Sequence, residues 1–66
     1  MNYVARLAKR FGGQRKLARA LNRPASTVQY WVETGTIPGA ADHYLILDVA
    51  KDRGIKVSEN ELRRMV

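Results

Sequence analysis

The chain of 66 residues has no cysteine, no long apolar run and no acidic residue among its first 32 residues. Without cysteine there can be no disulfide, no thiolate metal ligand and no cysteine nucleophile, and the composition suits a reducing compartment. Charged residues interrupt every apolar run, so the sequence predicts neither a secretory signal nor a membrane span, which needs about 20 apolar residues. We therefore expect a cytoplasmic protein.

The charge is distributed unevenly along the chain. Residues 1–32 carry seven basic residues and no acid, whereas residues 33–66 carry six acids and five bases, and the net charge is +6. Lysine and arginine displace condensed counterions from phosphates, so a cationic half of this kind favours a polyanionic partner. A basic surface that serves only solubility is the alternative, and the length of the acid-free run argues against it.

Apolar spacing and helix-end signals predict one all-α domain of five helices over residues 1–66. The first predicted helix is capped by Asn2 and ends at Gly12 and Gly13. The second, third and fourth span residues 14–22, 25–34 and 40–53. A fifth begins at the capping box of Ser58 and Glu61. Their predicted inward residues are Val4, Leu7, Ala8 and Phe11; Leu17, Ala18 and Leu21; Val28, Trp31 and Val32; Ala41, Tyr44, Leu45, Leu47, Val49 and Ala50; and Val57, Leu62, Met65 and Val66.

The second and third helices are separated by Asn22, Arg23 and Pro24. Proline lacks the amide donor needed to continue a helix, yet its fixed φ suits the start of a new one, and asparagine tolerates a positive φ. Two helices joined by a turn of about three residues on a cationic chain have the layout of a helix-turn-helix, whose second helix enters the DNA major groove.

The segment FGGQRKLARALNRPASTVQYWVETGTIP resembles the helix-turn-helix of the phage Cro and repressor family. The shared features are Gln14 at the start, Ala18 where the helices approach, Leu21 before the turn, Val28 and Trp31 in the packing of the next helix, and an Ile-Pro pair after it. The chain departs from the family at Asn22, where glycine is usual, and at Arg23, where an aliphatic residue usually covers the turn. The resemblance implies a compact, lambda repressor-like DNA-binding domain.

The resemblance also implies which side chains contact DNA. The residues expected to read base edges, from a recognition helix over residues 25–34, are Ala25, Ser26, Gln29 and Tyr30. Those expected to contact phosphates are Gln14, Arg15, Lys16, Arg19, Arg23 and Thr27, with the Arg23 stem on the core and its guanidinium directed to solvent or phosphate. The Gln29 amide offers a donor and an acceptor and so matches adenine N6 and N7. Trp31 is assigned to the core, because it shares a face with Val28.

Other functional classes find little support in the sequence. His43 is the only histidine and is expected at the surface or at a helix cap, because a small chain offers no deep catalytic pocket. Gly12 and Gly13 lack the context of a phosphate-binding loop, and no cofactor or metal motif is present. The first helix is too short to bury much apolar area in a membrane surface. We expect no enzyme, cofactor or metal.

These patterns favour a transcriptional regulator, of phage or prophage repressor type, that binds a double-stranded operator. A homodimer is expected, because two recognition helices about 34–36 Å apart can read successive major-groove faces. Its contact surface is expected on the fourth helix or around Leu62 and Met65. Two alternatives stay open: an antitoxin-like autoregulator whose C-terminal half binds a protein partner, and an interaction module whose basic surface binds an acidic protein.

Overall fold

The computed structural model describes residues 2–63, which form five helices and no strand. The helices are α1 (Tyr3–Arg10), α2 (Gln14–Leu21), α3 (Ala25–Thr34), α4 (Ala40–Asp52) and α5 (Glu59–Arg63). The prediction of an all-α chain is therefore confirmed, and the first four helices match their predicted bounds to within one residue. The predicted inward residues Met65 and Val66 lie outside the described residues.

Asn2 joins the start of α1 to the end of α3. Its Oδ1 accepts a hydrogen bond from the Ala5 amide at 2.8 Å, as a helix N-cap does. Its Nδ2 donates to the Val32 carbonyl at 2.7 Å. One side chain thus satisfies a backbone donor at one helix end and a backbone acceptor at another.

A single hydrophobic core lies between the helices, with α2 in contact with α1, α3 and α4. The buried apolar residues are Tyr3, Val4, Leu7, Ala8, Phe11, Leu17, Ala18, Leu21, Val28, Trp31, Ile37, Ile46, Ala50 and Leu62. The core assignment of Trp31 is confirmed, since its exposed fraction is 3%. Tyr3 and Ile37 were not predicted to be buried, because each lies at or beyond a helix end, where periodicity carries little information.

The buried face of α4 differs from the predicted one. Ala41 and Tyr44 are exposed, so their predicted inward position was wrong, whereas His43, Ile46 and Ala50 face the core. The remaining predicted positions, Leu45, Leu47 and Val49, are partly buried against the core. Because α4 carries apolar residues on most of its circumference and a histidine on its buried face, its hydrophobic period is indistinct in the sequence.

His43 is a core residue, and its expected position at the surface or at a helix cap was wrong. Its Nε2 forms a hydrogen bond with the backbone carbonyl of Ile37, and because a carbonyl can only accept, Nε2 is the donor. Ile37 is itself fully buried. Together the two residues hold the loop between α3 and α4 against α4.

The Tyr3 hydroxyl is buried and has no hydrogen-bond partner among residues 2–63. Burial raises the pKa of Tyr3, and the negative charge of Glu61 raises it further. The nearby Ser58 backbone and the guanidinium groups of Arg10 and Arg6 lower the pKa by less. The folded protein therefore favours the neutral phenol.

We expect Tyr3→Phe to leave the free energy of unfolding at pH 7 unchanged or slightly increased, because no hydrogen bond is lost. A raised folded-state pKa contributes stability below the unfolded value, about 10, and that contribution is lost as the pH rises through the folded value. The original protein should thus lose stability relative to Tyr3→Phe above about pH 10. Urea unfolding of both proteins from pH 7 upward measures this difference, and parallel stability curves would contradict it.

Candidate nucleic-acid interface

The turn between α2 and α3 is made by three residues whose conformations end one helix and begin the next. Asn22 lies in the left-handed region with φ +55°, and no other non-glycine residue within 2–63 has a positive φ. Its amide donates to the Arg19 carbonyl at 3.2 Å, and the Arg23 amide donates to the Ala18 carbonyl at 2.9 Å. This pair of bonds is a Schellman motif. Pro24 then precedes α3 with φ −60°, so the predicted turn is confirmed.

The side chains of α3 divide between a buried and an exposed face. Val28 and Trp31 are buried. The four predicted base-reading residues are all exposed, and we call them the outer face of α3: Ala25, Ser26, Gln29 and Tyr30. Their spacing places them on one side of the helix. Tyr30 is a large aromatic residue with an exposed fraction of 59%.

Most of the predicted phosphate-contacting residues lie along α2. Gln14, Arg15, Lys16 and Arg19 are exposed. The ion pairs found within residues 2–63 involve none of the three cations among them. Thr27 is half-buried in the first turn of α3. The cations of α2 are therefore available to an anion from solution.

Arg23 differs from the other predicted phosphate contacts, because its side chain is already paired. Its Nε donates to Oδ1 of Asp42 at 2.9 Å, and the two side chains are 39% and 20% exposed. Asp42 lies in the first turn of α4, so the pair joins the turn to that helix. The expectation that the guanidinium is directed to solvent or phosphate was incomplete, since one of its five donors is used within the protein.

The N-termini of α2 and α3 have neither a side-chain cap nor an acidic residue, whereas α1, α4 and α5 each have at least one of the two. The α1 helix has the Asn2 cap and α4 has Asp42 in its first turn. In α5, the Ser58 hydroxyl accepts from the Glu61 amide at 3.3 Å, and two glutamates occupy the first turn. The first amides of a helix attract anions, so both open N-termini can bind phosphate oxygens.

The amide of Gln29 is held by a second residue of α3. Its Nε2 donates to Oε1 of Glu33 at 3.1 Å, one helical turn further along, and both side chains are exposed. The Gln29 oxygen and one N–H stay available to a ligand. Sequence reasoning missed the roles of Glu33 and Asp42. A glutamate four residues after a glutamine, or an acid in a first helical turn, is common in ordinary helices.

Other kinds of site are not apparent in the part of the chain that the structure describes. No cluster of potential metal ligands forms there, and none of its helices is long and apolar enough to cross a bilayer. A groove of about 140 Å³ between α4 and α5 is lined by Ala40, His43, Tyr44, Leu47, Glu59, Leu62 and Arg63. It includes parts of the predicted dimer surface, whose other candidate, Met65, lies outside residues 2–63.

Comparisons of the chain with protein-family models, with curated proteins and with solved structures find no match. The features of the chain that bear on its function are therefore the geometry, exposure and charge of α2, α3 and the turn between them.

The conformation of Asn22 predicts how substitutions in the turn affect stability. Asn22→Ala should lower the free energy of unfolding by about 1 kcal/mol, because a β-carbon disfavours positive φ, whereas Asn22→Gly should keep or raise it. Asn60, an exposed residue within α5, is the matched control. There alanine should be preferred to glycine, because Asn60 has no positive φ and alanine has the higher helix propensity. Urea unfolding of the four variants checks both orders, and the same order at the two positions would contradict the role of Asn22.

Proposed function

We propose that the chain is a sequence-specific double-stranded DNA-binding regulator, of the phage Cro and repressor type with a lambda repressor-like fold, in which α2 and α3 form the helix-turn-helix. One observation carries the proposal: α2 and α3 meet at a three-residue turn and both have open N-termini beside exposed polar or cationic side chains. A duplex offers phosphates and base edges at the spacing that such a unit can contact together.

The α2 helix supplies the affinity that does not depend on sequence. Arg15, Lys16 and Arg19 are exposed and form no ion pair with other described residues, so they can displace counterions from DNA phosphates. Gln14 lies beside the open amides of the same helix and can donate to one phosphate oxygen. Two further phosphate contacts would lie beside the turn. One is made by the Arg23 donors that Asp42 does not use, and the other by the Thr27 hydroxyl. These contacts fix the position of α3 in the groove.

The outer face of α3 reads the bases. Gln29 can bond to adenine N6 and N7 at once, and Ser26 can bond to either a donor or an acceptor. The Ala25 methyl group can contact a thymine methyl. Tyr30 is exposed enough to reach a base or a neighbouring phosphate. Because Val28 and Trp31 are buried, the core holds α3 in a fixed orientation for this contact.

The dimensions of the domain support a homodimer on DNA. The described residues extend 26 × 24 × 22 Å, which is less than the about 34–36 Å between successive major-groove faces. Reading both faces therefore takes two copies, and occupancy of the operator by a dimer would repress transcription. The proposal assigns the chain no catalysis and no cofactor, and it places the protein in the cytoplasm.

A second candidate function is an antitoxin-like autoregulator that also binds a protein partner. The observation in its favour is Tyr44, which lines the groove between α4 and α5 and has an exposed fraction of 70%. Titration with the products of neighbouring genes separates the two functions. A tight heteromeric complex supports the second candidate, whereas a regulator that acts alone forms none.

Selection from a pool of random duplexes tests the proposal directly. We expect one enriched, two-fold symmetric site, and native mass measurement should show two chains per duplex. Gln29→Ala should lower the preference at one base pair of each half-site by about 1–3 kcal/mol, because the paired donor and acceptor are lost. Asn60→Ala, on α5, is the control and should select the original site. A pool that shows no enrichment, or a duplex preference untouched by Gln29→Ala, would favour a protein-interaction module.

Arg19→Ala tests the assignment of α2 to the phosphates. It should weaken binding to all duplexes alike and reduce the slope of log Kobs against log salt concentration by about one. Arg53→Ala removes the same charge from the exposed end of α4 and should leave the slope unchanged. Titrations at several salt concentrations measure both slopes. Equal slopes for Arg19→Ala and the original protein would exclude Arg19 from the phosphate contacts.

A further inference from the structure

Glu33 is the only acidic residue among the first 34 residues of the chain. Its carboxylate accepts a hydrogen bond from Gln29, the residue expected to bind adenine. A carboxylate on a helix that enters a DNA groove weakens binding, because phosphates surround it. Glu33 is exposed and forms no ion pair with the described residues, so neutralisation by a nearby cation does not explain its presence. Its hydrogen bond from Gln29 does offer an explanation.

The bond fixes which groups of the Gln29 amide are left for a base. A carboxylate only accepts hydrogen bonds, so the Gln29 nitrogen must face it, and the rotated amide would bring two acceptor oxygens together. One of the two N–H donors is used by this bond. One donor and one acceptor then stay available to DNA.

This remaining pair of groups distinguishes the two purines. Adenine presents the N7 acceptor and the N6 donor in the major groove, which the amide oxygen and the free N–H match. Guanine presents two acceptors, N7 and O6, which an unrestrained glutamine can approach with both of its N–H groups. With one donor held by Glu33, that second arrangement is lost.

We infer that Glu33 is a positioning residue that makes Gln29 select adenine over guanine, at the expense of some affinity for all DNA; this inference rests on the proposed function. A merely structural glutamine–glutamate pair on a helix would support the helix and would not affect base preference. The two roles therefore differ in a measurable quantity.

The test is a double-mutant cycle on base preference. Affinities are measured for duplexes that carry adenine or guanine at the base pair sensitive to Gln29→Ala, using the original protein, Glu33→Ala, Gln29→Ala and the double variant. Glu33→Ala should reduce the adenine preference about two- to fivefold, in keeping with one exposed hydrogen bond, and should raise affinity for random duplexes. In the Gln29→Ala background, the same change should leave the preference unaltered.

Two further variants control for the loss of a negative charge and for the size of the side chain. Asp48→Ala removes an exposed acid of α4 that forms no ion pair with the described residues, and it should leave the base preference unchanged. Glu33→Gln keeps the size of the side chain, yet its amide can donate as well as accept, so it should also reduce the preference. Urea unfolding of each variant shows whether the fold is retained.

The outcomes separate this inference from the proposed function. An adenine preference lost in Gln29→Ala but unchanged in both Glu33 variants overturns the inference alone. A drop in preference of equal size with and without Gln29 also overturns it, because Glu33 then acts by another route. If the original protein selects no duplex sequence, the proposed function and this inference are both overturned.

Discussion

The left-handed conformation of Asn22 is the constraint on which the arrangement of α2 and α3 depends. It directs the amides of Asn22 and Arg23 back onto α2, so that helix ends within one residue, and Pro24 then precedes a new helix. The short connection lets α3 pack on α2 with Val28 and Trp31 inward. The short connection and this packing together fix the outer face of α3 relative to the cations of α2.

The first turns of α1, α2 and α3 contain no acidic residue, whereas those of α4 and α5 do. At α4 and α5 acidic residues occupy the first turn, which stabilises a helix by about 0.3–1 kcal/mol in each case. α2 and α3 lack this stabilisation, because they have no acid in the first turn, and they also have no side-chain cap. An anionic ligand that binds at both N-termini offsets that cost, and the proposed DNA contact supplies one. Residues 1–32 contain no acid, so this whole part of the chain also favours an anionic ligand.

A chain of this size without cysteine has a small core, so polar contacts between distant segments have a large share in fixing its loops. The Asn2 side chain joins α1 to the carbonyl of Val32 near the end of α3. The Arg10 guanidinium donates to the Lys56 carbonyl at 3.0 Å and so secures the segment before α5. His43 holds the loop that follows α3, and the pair of Arg23 with Asp42 joins the turn to α4. These contacts set the framework on which α3 is presented.

Local signals in the sequence determined the helix bounds, the turn at Asn22 and the exposure of Gln29, since helix ends depend on a few neighbouring φ and ψ angles and exposure follows the 3.6-residue period. Only the tertiary structure decided which side of α4 is buried, because that helix has apolar residues on most sides and packing against α2 selects among them. It likewise paired Arg23 with Asp42, which lies 19 residues away, since sequence spacing does not encode a contact between helices.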